Sequence, residues 1–345
     1  ESLGFGAYSY DPRGNNGPGA SGDGILATVN LQVVGEGVSD LILSNPLFVD
    51  TEANAQPVVA TNAALQVKAL HGGWNRLAPC VDTTGLAVPE VLASLSGAFD
   101  MVLGERGAYA VGLPPDLQSL GEAVPPWSYW VRTTAGQPVT LTQVAPTFPP
   151  STPVTLTAGW RWVGYCVGHT LPITVALQTI AEQYDMVLGE TGAYVVELPD
   201  IFQSLREMRQ GAGYLIRMTA DAVLTYPAAG AQGGEGAEAR GSTGAGAPGC
   251  AAQPSPYLTL AYGQALVNGA PAPAGTVVEA VTPRGEVAGC GVVAEDGALP
   301  LMLLYGADED GRTLGFRAGE SIAWRVGGRE ATGPAVAWAD DKAVH

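Results

Sequence analysis

Two matched pairs of acidic residues are the first candidates for chemistry in this chain. Asp100 precedes Glu105, and Asp185 precedes Glu190 at the same spacing. Two carboxylates can serve as acid and base in glycoside hydrolysis when they lie within about 10 Å of each other. Five residues along a strand, however, span about 15 Å. We therefore expect each pair to mark the start of a strand and a solvated hairpin tip, and not a catalytic pair.

Other catalytic motifs are missing or lie in the wrong context. The three histidines, His71, His169 and His345, fall in separate segments, and neither HExxH nor GxSxG occurs. Residues 244–249 spell GxGxxG, but no strand precedes them and no helix follows, as a phosphate cradle requires. We predict that the chain is not an enzyme and that it has no catalytic residue, no cofactor-binding residue and no dedicated metal site.

Calcium and carbohydrate are the two ligands that the residue types leave open. The acidic turn at 308–311 could offer oxygen ligands to Ca²⁺, although EF-hand spacing is absent and a plain acidic loop is the alternative. Trp127, Trp130 and Trp162 could stack on sugar rings. Aromatic residues at repeat-matched positions are also typical of a hydrophobic core, which is the competing interpretation.

Most of these acids and aromatics lie within an internal repeat. Residues 100–109, which read DMVLGE and then GAY after one intervening residue, recur as residues 185–194. The match extends outwards at an offset of 85 or 86 residues, and it pairs Trp74 with Trp160, Cys80 with Cys166, Leu120 with Leu205, Tyr129 with Tyr214, and Arg132 with Arg217. We predict two tandem α+β modules, over 63–146 and 147–227. Each should contain a Trp-bearing strand, a short helix, a hairpin and a closing strand.

The repeat resembles the small α+β modules of secreted, multidomain bacterial surface proteins. The closing strand carries this resemblance: residues 213–219 read Gly-Tyr-Leu-Ile-Arg-Met-Thr, and residues 128–134 follow the same pattern more loosely. Such modules often occur beside cohesin-like domains. The resemblance implies a secreted protein built from several domains.

The segment before the repeats resembles the second half of a cohesin-type β-sandwich. Residues 22–29, 37–43 and 47–50 carry the resemblance, which covers only the last four or five strands of such a domain. It implies a partial sandwich over 1–62. Half of a sandwich leaves open edges that recruit further strands, so we expect the missing strands to come from a partner.

The residues after the repeats predict a linker and a second sandwich. Residues 228–256 are rich in Gly and Ala and show no periodicity, as in flexible linkers. Residues 257–345 contain alternating strands, and the phrase at 269–278 resembles carboxypeptidase-regulatory-like and invasin-like sandwiches. Such domains usually close with another strand after a Trp-Xaa-Asp-Asp segment, here 338–341. We expect that final strand to be missing.

The four cysteines favour an oxidising compartment. Cys80 and Cys166 are repeat equivalents, and Cys250 and Cys290 both lie in the C-terminal region. No CxxC motif occurs, which excludes zinc-ribbon and thioredoxin-like sites. An even count, grouped two and two, predicts the pair Cys250–Cys290 and then the interdomain pair Cys80–Cys166. Four buried free thiols are the alternative.

Charge narrows the range of partners. The formal net charge is −17, which disfavours nucleic acid and anionic membrane surfaces. No apolar run reaches the length of a membrane helix, and the first residues carry no signal-peptide pattern, so we expect a cytosolic chain or one whose leader has been removed. The composition and the cysteines favour the extracellular alternative.

These observations predict a mostly β, multidomain protein in which β-sandwiches flank two tandem α+β modules. The function we expect is that of a non-enzymatic extracellular or cell-surface structural protein, with other copies of itself as partners in a head-to-tail filament or sheath built by strand complementation. The alternative is an adhesion or docking module for a glycan or another surface protein. A third interpretation is that the chain is one piece of a longer modular protein.

Overall fold

Strands dominate the architecture of the protein. Its computed structural model describes residues 28, 30–49, 54–57, 59–227 and 250–345. Strands make up 42% of it and helices 8%, which confirms the predicted mostly β, multidomain fold class. Most of the predicted linker, including the GxGxxG segment, and much of the predicted partial sandwich lie outside the described residues.

The strands fall into three groups along the chain. The N-terminal segment and the first module contain β1 (Gly37–Leu41), β2 (Phe48–Val49), β3 (Ala55–Gln56), β4 (Ala63–Leu70), β5 (Gly73–Leu77), β6 (Phe99–Gly104), β7 (Gly107–Ala110), β8 (Tyr129–Thr133) and β9 (Val139–Pro146). The second module contains β10 (Val154–Leu156), β11 (Gly159–Tyr165), β12 (Leu171–Pro172), β13 (Tyr184–Leu188), β14 (Ala193–Val195), β15 (Glu207–Met208), β16 (Ala212–Met218) and β17 (Ala222–Leu224). The C-terminal region contains β18 (Leu258–Gln264), β19 (Leu266–Val267), β20 (Ala270–Pro271), β21 (Val277–Val281), β22 (Val287–Val292), β23 (Ala298–Tyr305), β24 (Ala323–Val326) and β25 (Arg329–Ala331).

The two repeats fold on one plan. Each has a four-stranded antiparallel sheet, in the order β5-β8-β6-β7 in the first module and β11-β16-β13-β14 in the second. The Trp-bearing strand pairs with the closing strand, which also pairs with the first strand of the hairpin. A second, smaller sheet contains β4 and β9 in the first module and β10 and β17 in the second.

The predicted short helices are each divided into two single turns. In the first module α1 (Val88–Val91) is followed by a 3₁₀ turn at Ala93–Leu95, and in the second α2 (Ile173–Ala176) is followed by one at Gln178–Ile180. One residue lies between the two turns of each module, Leu92 with φ −104° in the first and Leu177 with φ −103° in the second. These angles are outside the helical region, so the α-helix ends there. The leucines of these turns are buried in the module cores.

The described part of the N-terminal segment is tied to the first module. β1 pairs antiparallel with β4, which makes a three-stranded sheet in the order β1-β4-β9. Its neighbours β2 and β3 form a separate two-stranded hairpin. Among the residues that the structure describes, the sheet of β10 and β17 contains no counterpart of β1, so this strand distinguishes the first repeat.

The C-terminal region folds as two facing sheets. β18 pairs with β23, and this pair packs against the sheet β22-β21-β24-β25 over a core that includes Ala280, Leu304 and Trp338. The prediction that a strand is missing after Trp338 is wrong. Residues 342–345 run parallel to β18, with backbone hydrogen bonds from Leu260 N to Ala343 O at 3.0 Å and from His345 N to Leu260 O at 3.0 Å. The chain's own residues therefore cover this edge of β18.

Candidate functional site

The two modules meet through equivalent surfaces. Gly164 N donates to Pro126 O at 2.6 Å, and Ala78 N donates to Gly211 O at 3.1 Å. Ala78 is the repeat equivalent of Gly164, and Pro126 is the equivalent of Gly211. Each bond is thus the counterpart of the other, as in the isologous interface of a twofold dimer. The tandem repeats form a pseudo-twofold pair within one chain.

Two glycines allow this close approach. Gly164 and Gly213 are direct partners in the pairing of β11 with β16. A Cβ on Gly164 would lie 2.6 Å from Ala78 Cβ, and a Cβ on Gly213 would lie 2.5 Å from Ser128 Cβ. Such distances are well inside van der Waals contact, so only glycine lets these strands reach the first module.

A disulfide crosses the same interface. Cys80 and Cys166 are bonded, with a Cα–Cα distance of 5.2 Å, and Val38 of β1 packs on them. Cys250 is bonded to Cys290 of β22, with a Cα–Cα distance of 6.0 Å. Both predicted pairings are therefore present, and neither pair leaves a free thiol. Two disulfides fit a compartment that keeps cysteines oxidised.

Arg132 joins the first module to the C-terminal sandwich. Its Nε and Nη2 donate to Asp100 at 2.8 and 3.1 Å, and its Nη1 donates to Asp308 at 2.9 Å and Asp310 at 3.1 Å. The indole Nε1 of Trp74 also donates to Asp308, at 3.3 Å. Burial alone would lower the pKa of Arg132, but the carboxylates around it raise that pKa above its usual value.

The acidic turn at 308–311 is therefore an interdomain contact. The Asp308 side chain is only 5% exposed, and it also accepts hydrogen bonds from Thr313 N at 2.7 Å and Thr313 Oγ1 at 2.8 Å. Burial opposes ionisation, yet these bonds and Arg132 lower the pKa of Asp308. The carboxylates of Asp308 and Asp310, considered as Ca²⁺ ligands, thus already bind Arg132 and the turn. The described residues contain no cluster of three or more His, Cys, Asp or Glu side chains that could hold a metal.

Arg76 is a buried cation at the module interface. Its Nη1 donates to the carbonyl oxygens of Leu188 and Gly189 at 2.8 and 3.0 Å, and its guanidinium lies 4.3 Å above the Trp130 ring. Nε and Nη2 have no hydrogen-bond partner in the described part of the chain. Burial without a contacting carboxylate lowers the pKa of Arg76 to about 10, and the nearby Glu190 limits that shift.

The hairpin acids bind neighbouring domains, so the prediction of solvated hairpin tips is wrong. Glu105 accepts hydrogen bonds from Arg161 Nη1 at 2.7 Å and from Trp162 N at 2.8 Å in the second module. Glu190 accepts one from His71 Nε2 at 3.1 Å in the first module. Each tip thus reaches across the pseudo-twofold interface to the other module, which explains why the acids recur at matched positions.

His71 and Glu190 form a histidine–carboxylate pair across the module interface, with His71 Nε2 and Glu190 Oε1 3.1 Å apart. The hydrogen bond to Glu190 raises the pKa of His71 above its ordinary value. Burial acts to raise the pKa of Glu190, but His71 and Lys68 together lower it. The backbone oxygen of Glu190 also accepts a hydrogen bond from the Tyr305 hydroxyl at 2.6 Å, so the second module is held to the sandwich at the same residue.

The predicted sugar-stacking aromatics do not form a surface platform. The prediction is wrong for Trp130, which is 0% exposed and covered by Arg76. Trp127 is half-buried between the hydrophobic cores of the two modules, and Trp162 packs against the cluster shared with the sandwich. These rings serve as interdomain packing, as the competing interpretation of core aromatics proposed.

Neither the role of Arg76 nor the link from Arg132 to Asp308 is predicted from the sequence. The sequence does contain one relevant signal, because Asp100 and Arg132 recur as Asp185 and Arg217 with identical separation. In both modules the two side chains form an ion pair between neighbouring strands. The contact with Asp308 has no such signal, since it joins residues on opposite sides of residues 228–249.

No helix among the described residues is long and apolar enough to cross a membrane. Comparisons with models of protein families, with curated proteins and with solved structures yield no match to this chain. Its function must therefore be argued from its own contacts, surfaces and charges.

Proposed function

We propose that the chain is a non-enzymatic structural protein of the cell surface or extracellular space, and that it assembles with further copies by adding strands at β1. Two disulfides fit that environment. The acidic net charge keeps such a protein apart from nucleic acid and anionic lipid. Self-assembly suits such a chain, because polar contacts already hold its own domains together.

Internal cross-links support a structural role. The two modules are joined by a disulfide, and both contact the sandwich. A hydrophobic cluster continues from the second module into the sandwich, and it contains Met186, Leu188, Leu215, Leu260 and Leu303. Domains joined in this way move little relative to each other, which suits a building block that must transmit its orientation to the next copy.

The unpaired edge of β1, with the apolar residues around it, is the observation that carries the proposal. Within the described residues β1 pairs on one side only, with β4. The segment around it exposes large apolar side chains: Val34 is 95% exposed, Ile42 66%, Leu47 72% and Val59 96%. An open strand edge flanked by exposed apolar side chains is a template for a strand from another chain. Because residues 342–345 cover the edge of β18, the proposal concerns β1.

The test replaces exposed apolar side chains on either side of β1. We expect Val34→Asp combined with Ile42→Asp to abolish assembly while the protein remains folded, since neither side chain contributes to a core. Sedimentation velocity over a concentration series and electron microscopy measure assembly. Leu117→Asp, at a side chain 64% exposed in the first module, is the matched control and should assemble normally.

Two results would contradict strand addition at β1. One is a wild-type protein, purified from its native source, that stays monomeric at every concentration. The other is assembly that proceeds unchanged in the double variant. In the second case the structural role would survive, but another surface would have to carry it.

A further inference from the structure

The second module carries the same arginine, aspartate and tryptophan set that the first module uses to bind the acidic turn of the sandwich. In the first module Trp74 pairs with Arg132 across neighbouring strands, and in the second Trp160 pairs with Arg217. The guanidinium lies 5.3 Å from the ring centroid of Trp74 and 5.8 Å from that of Trp160. The two sets thus share their sequence positions and their geometry.

The ion pairs within the two sets also match atom by atom. Arg217 Nε and Nη2 donate to Asp185 at 2.7 and 3.0 Å, as Arg132 Nε and Nη2 donate to Asp100. This leaves Nη1 of each arginine pointing away from its own aspartate. On Arg132 that atom binds Asp308.

In the second module the equivalent donors are Arg217 Nη1 and the Trp160 indole N–H. Neither has a hydrogen-bond partner in the described part of the chain. The C-terminal sandwich covers the apolar part of that sheet, at Met186, Leu188 and Leu215, and the partly buried Trp160 ring packs against the edge of the same cluster. The Arg217 and Asp185 side chains are each 37% exposed, against 7% for Arg132 and 18% for Asp100. One sandwich therefore binds only one of two equivalent sets.

The bound turn shows what chemistry this set recognises. Asp308 accepts hydrogen bonds from the arginine and the indole, and Arg312, four residues later, forms an ion pair with Asp100. The turn is held in shape by its own bonds from Thr313 to Asp308. Such a turn meets both charges of the ion pair at once, which a simple anion cannot do.

We propose that Arg217, Asp185 and Trp160 form a docking site for a partner protein that presents an aspartate and, four residues later, a basic side chain on a tight turn. Charge complementarity argues for this occupant, because Arg217 Nη1 and the Trp160 indole N–H are donors and Asp185 is an acceptor. A fork-shaped guanidinium beside an aromatic ring selects a carboxylate held in one geometry. The site does not depend on strand addition at β1.

The test uses a cyclised peptide of residues 306–316 of this chain as the probe, added to the ¹⁵N-labelled full-length protein. We expect saturable shifts of the Trp160 indole N–H, assigned with Trp160→Phe, while the Trp74 indole N–H stays unchanged because its turn is already bound. Arg217→Ala should weaken peptide affinity at least about tenfold, as the loss of a charge-assisted hydrogen bond predicts. Arg217→Lys should weaken it by less, and Arg206→Ala, an exposed arginine of the same module, should leave it unchanged.

Three results would overturn the docking site. The peptide could fail to shift the Trp160 signal, Arg217→Ala could bind it as well as the wild type does, or acetate at equal carboxylate concentration could match its effect. A peptide carrying Asp308→Asn should fail in all cases. Because no readout involves assembly, these results are separate from the outcome for β1.

Discussion

At the residue scale, the same cross-strand pair of arginine and tryptophan occurs in two different environments in this chain. Arg132 sits between Trp74, Asp100 and Asp308 and is almost fully buried. Arg217 has the same aspartate and tryptophan but remains partly in solvent. Burial and the third partner are the main differences, so the pair provides a matched comparison of a buried and an exposed ion pair.

We predict that Arg132→Ala destabilises the protein by about 3–5 kcal/mol, because it leaves the buried Asp308 carboxylate without its cation. Arg217→Ala should cost less than about 1 kcal/mol, as is usual for exposed pairs. Urea unfolding followed by tryptophan fluorescence gives both free energies of unfolding. Equal losses for the two variants would mean that Asp308 finds another partner or water when Arg132 is removed.

Sequence reasoning at this scale identifies equivalent residues but not their partners. The repeat shows that Arg132 and Arg217 correspond, and that both lie near an aspartate. It cannot show that Asp308, 176 residues later, completes only one of the two sets. That contact depends on where a whole domain packs, and no local spacing encodes it. Strand position likewise leaves both interpretations of Trp130 open, a sugar-stacking ring or a core ring, because it does not say which face another domain covers.

At the element scale, hairpins and strands of each module form contacts with the neighbouring domain. The hairpin tips carry Glu105 and Glu190 across the interface, and Gly164 and Gly213 allow the strands to approach. The strands and hairpins of the two modules follow from alternation and the repeat, and the structure confirms them. The pairing of β1 with β4 and that of residues 342–345 with β18 were not, because edge pairing depends on tertiary packing more than on local pattern.

The two disulfides should differ in what they hold, although not greatly in stability. Loop-closure entropy predicts a contribution of about 4–5 kcal/mol for Cys80–Cys166, whose sequence separation is 86, and about 4 kcal/mol for Cys250–Cys290, whose separation is 40. We predict that Cys80→Ser with Cys166→Ser lowers the thermal midpoint and also loosens the two modules, since the bond crosses their interface.

The measurement combines calorimetry with amide hydrogen exchange at Ala78, Ser128 and Gly164, whose N–H groups donate across the module interface. The matched control is Cys250→Ser with Cys290→Ser, which should lower the thermal midpoint to a similar degree but leave exchange at the module interface unchanged. Unchanged exchange in both double variants would show that backbone bonds and side-chain packing suffice to hold the modules together.

At the scale of the whole molecule, the repeats form a pseudo-twofold pair and the sandwich breaks its symmetry. The sandwich places its acidic turn on the first module and its β18–β23 sheet on the second. Its contacts combine a buried ion pair, a continuous hydrophobic cluster and the bond from Tyr305 to Glu190. Neither disulfide crosses this boundary, so only non-covalent contacts and residues 228–249 connect the two parts.

These contacts predict that the sandwich stays bound when the chain is cut. With residues 236–241 replaced by a protease recognition sequence, cleavage should yield two pieces that co-elute in size exclusion, even in 1 M salt. The apolar cluster is insensitive to screening, and the Arg132–Asp308 pair is buried enough to be screened little.

The same cleavage in a Leu215→Asp variant should release the C-terminal piece, because the substitution puts a charge into the shared cluster without a partner. Val223→Asp, at a half-exposed side chain of β17 outside that cluster, is the control and should remain intact as a complex. Separation of the wild-type pieces at low salt would show instead that residues 228–249 are what keeps the sandwich in place, and the rigid body that the structural role requires would be lost with them.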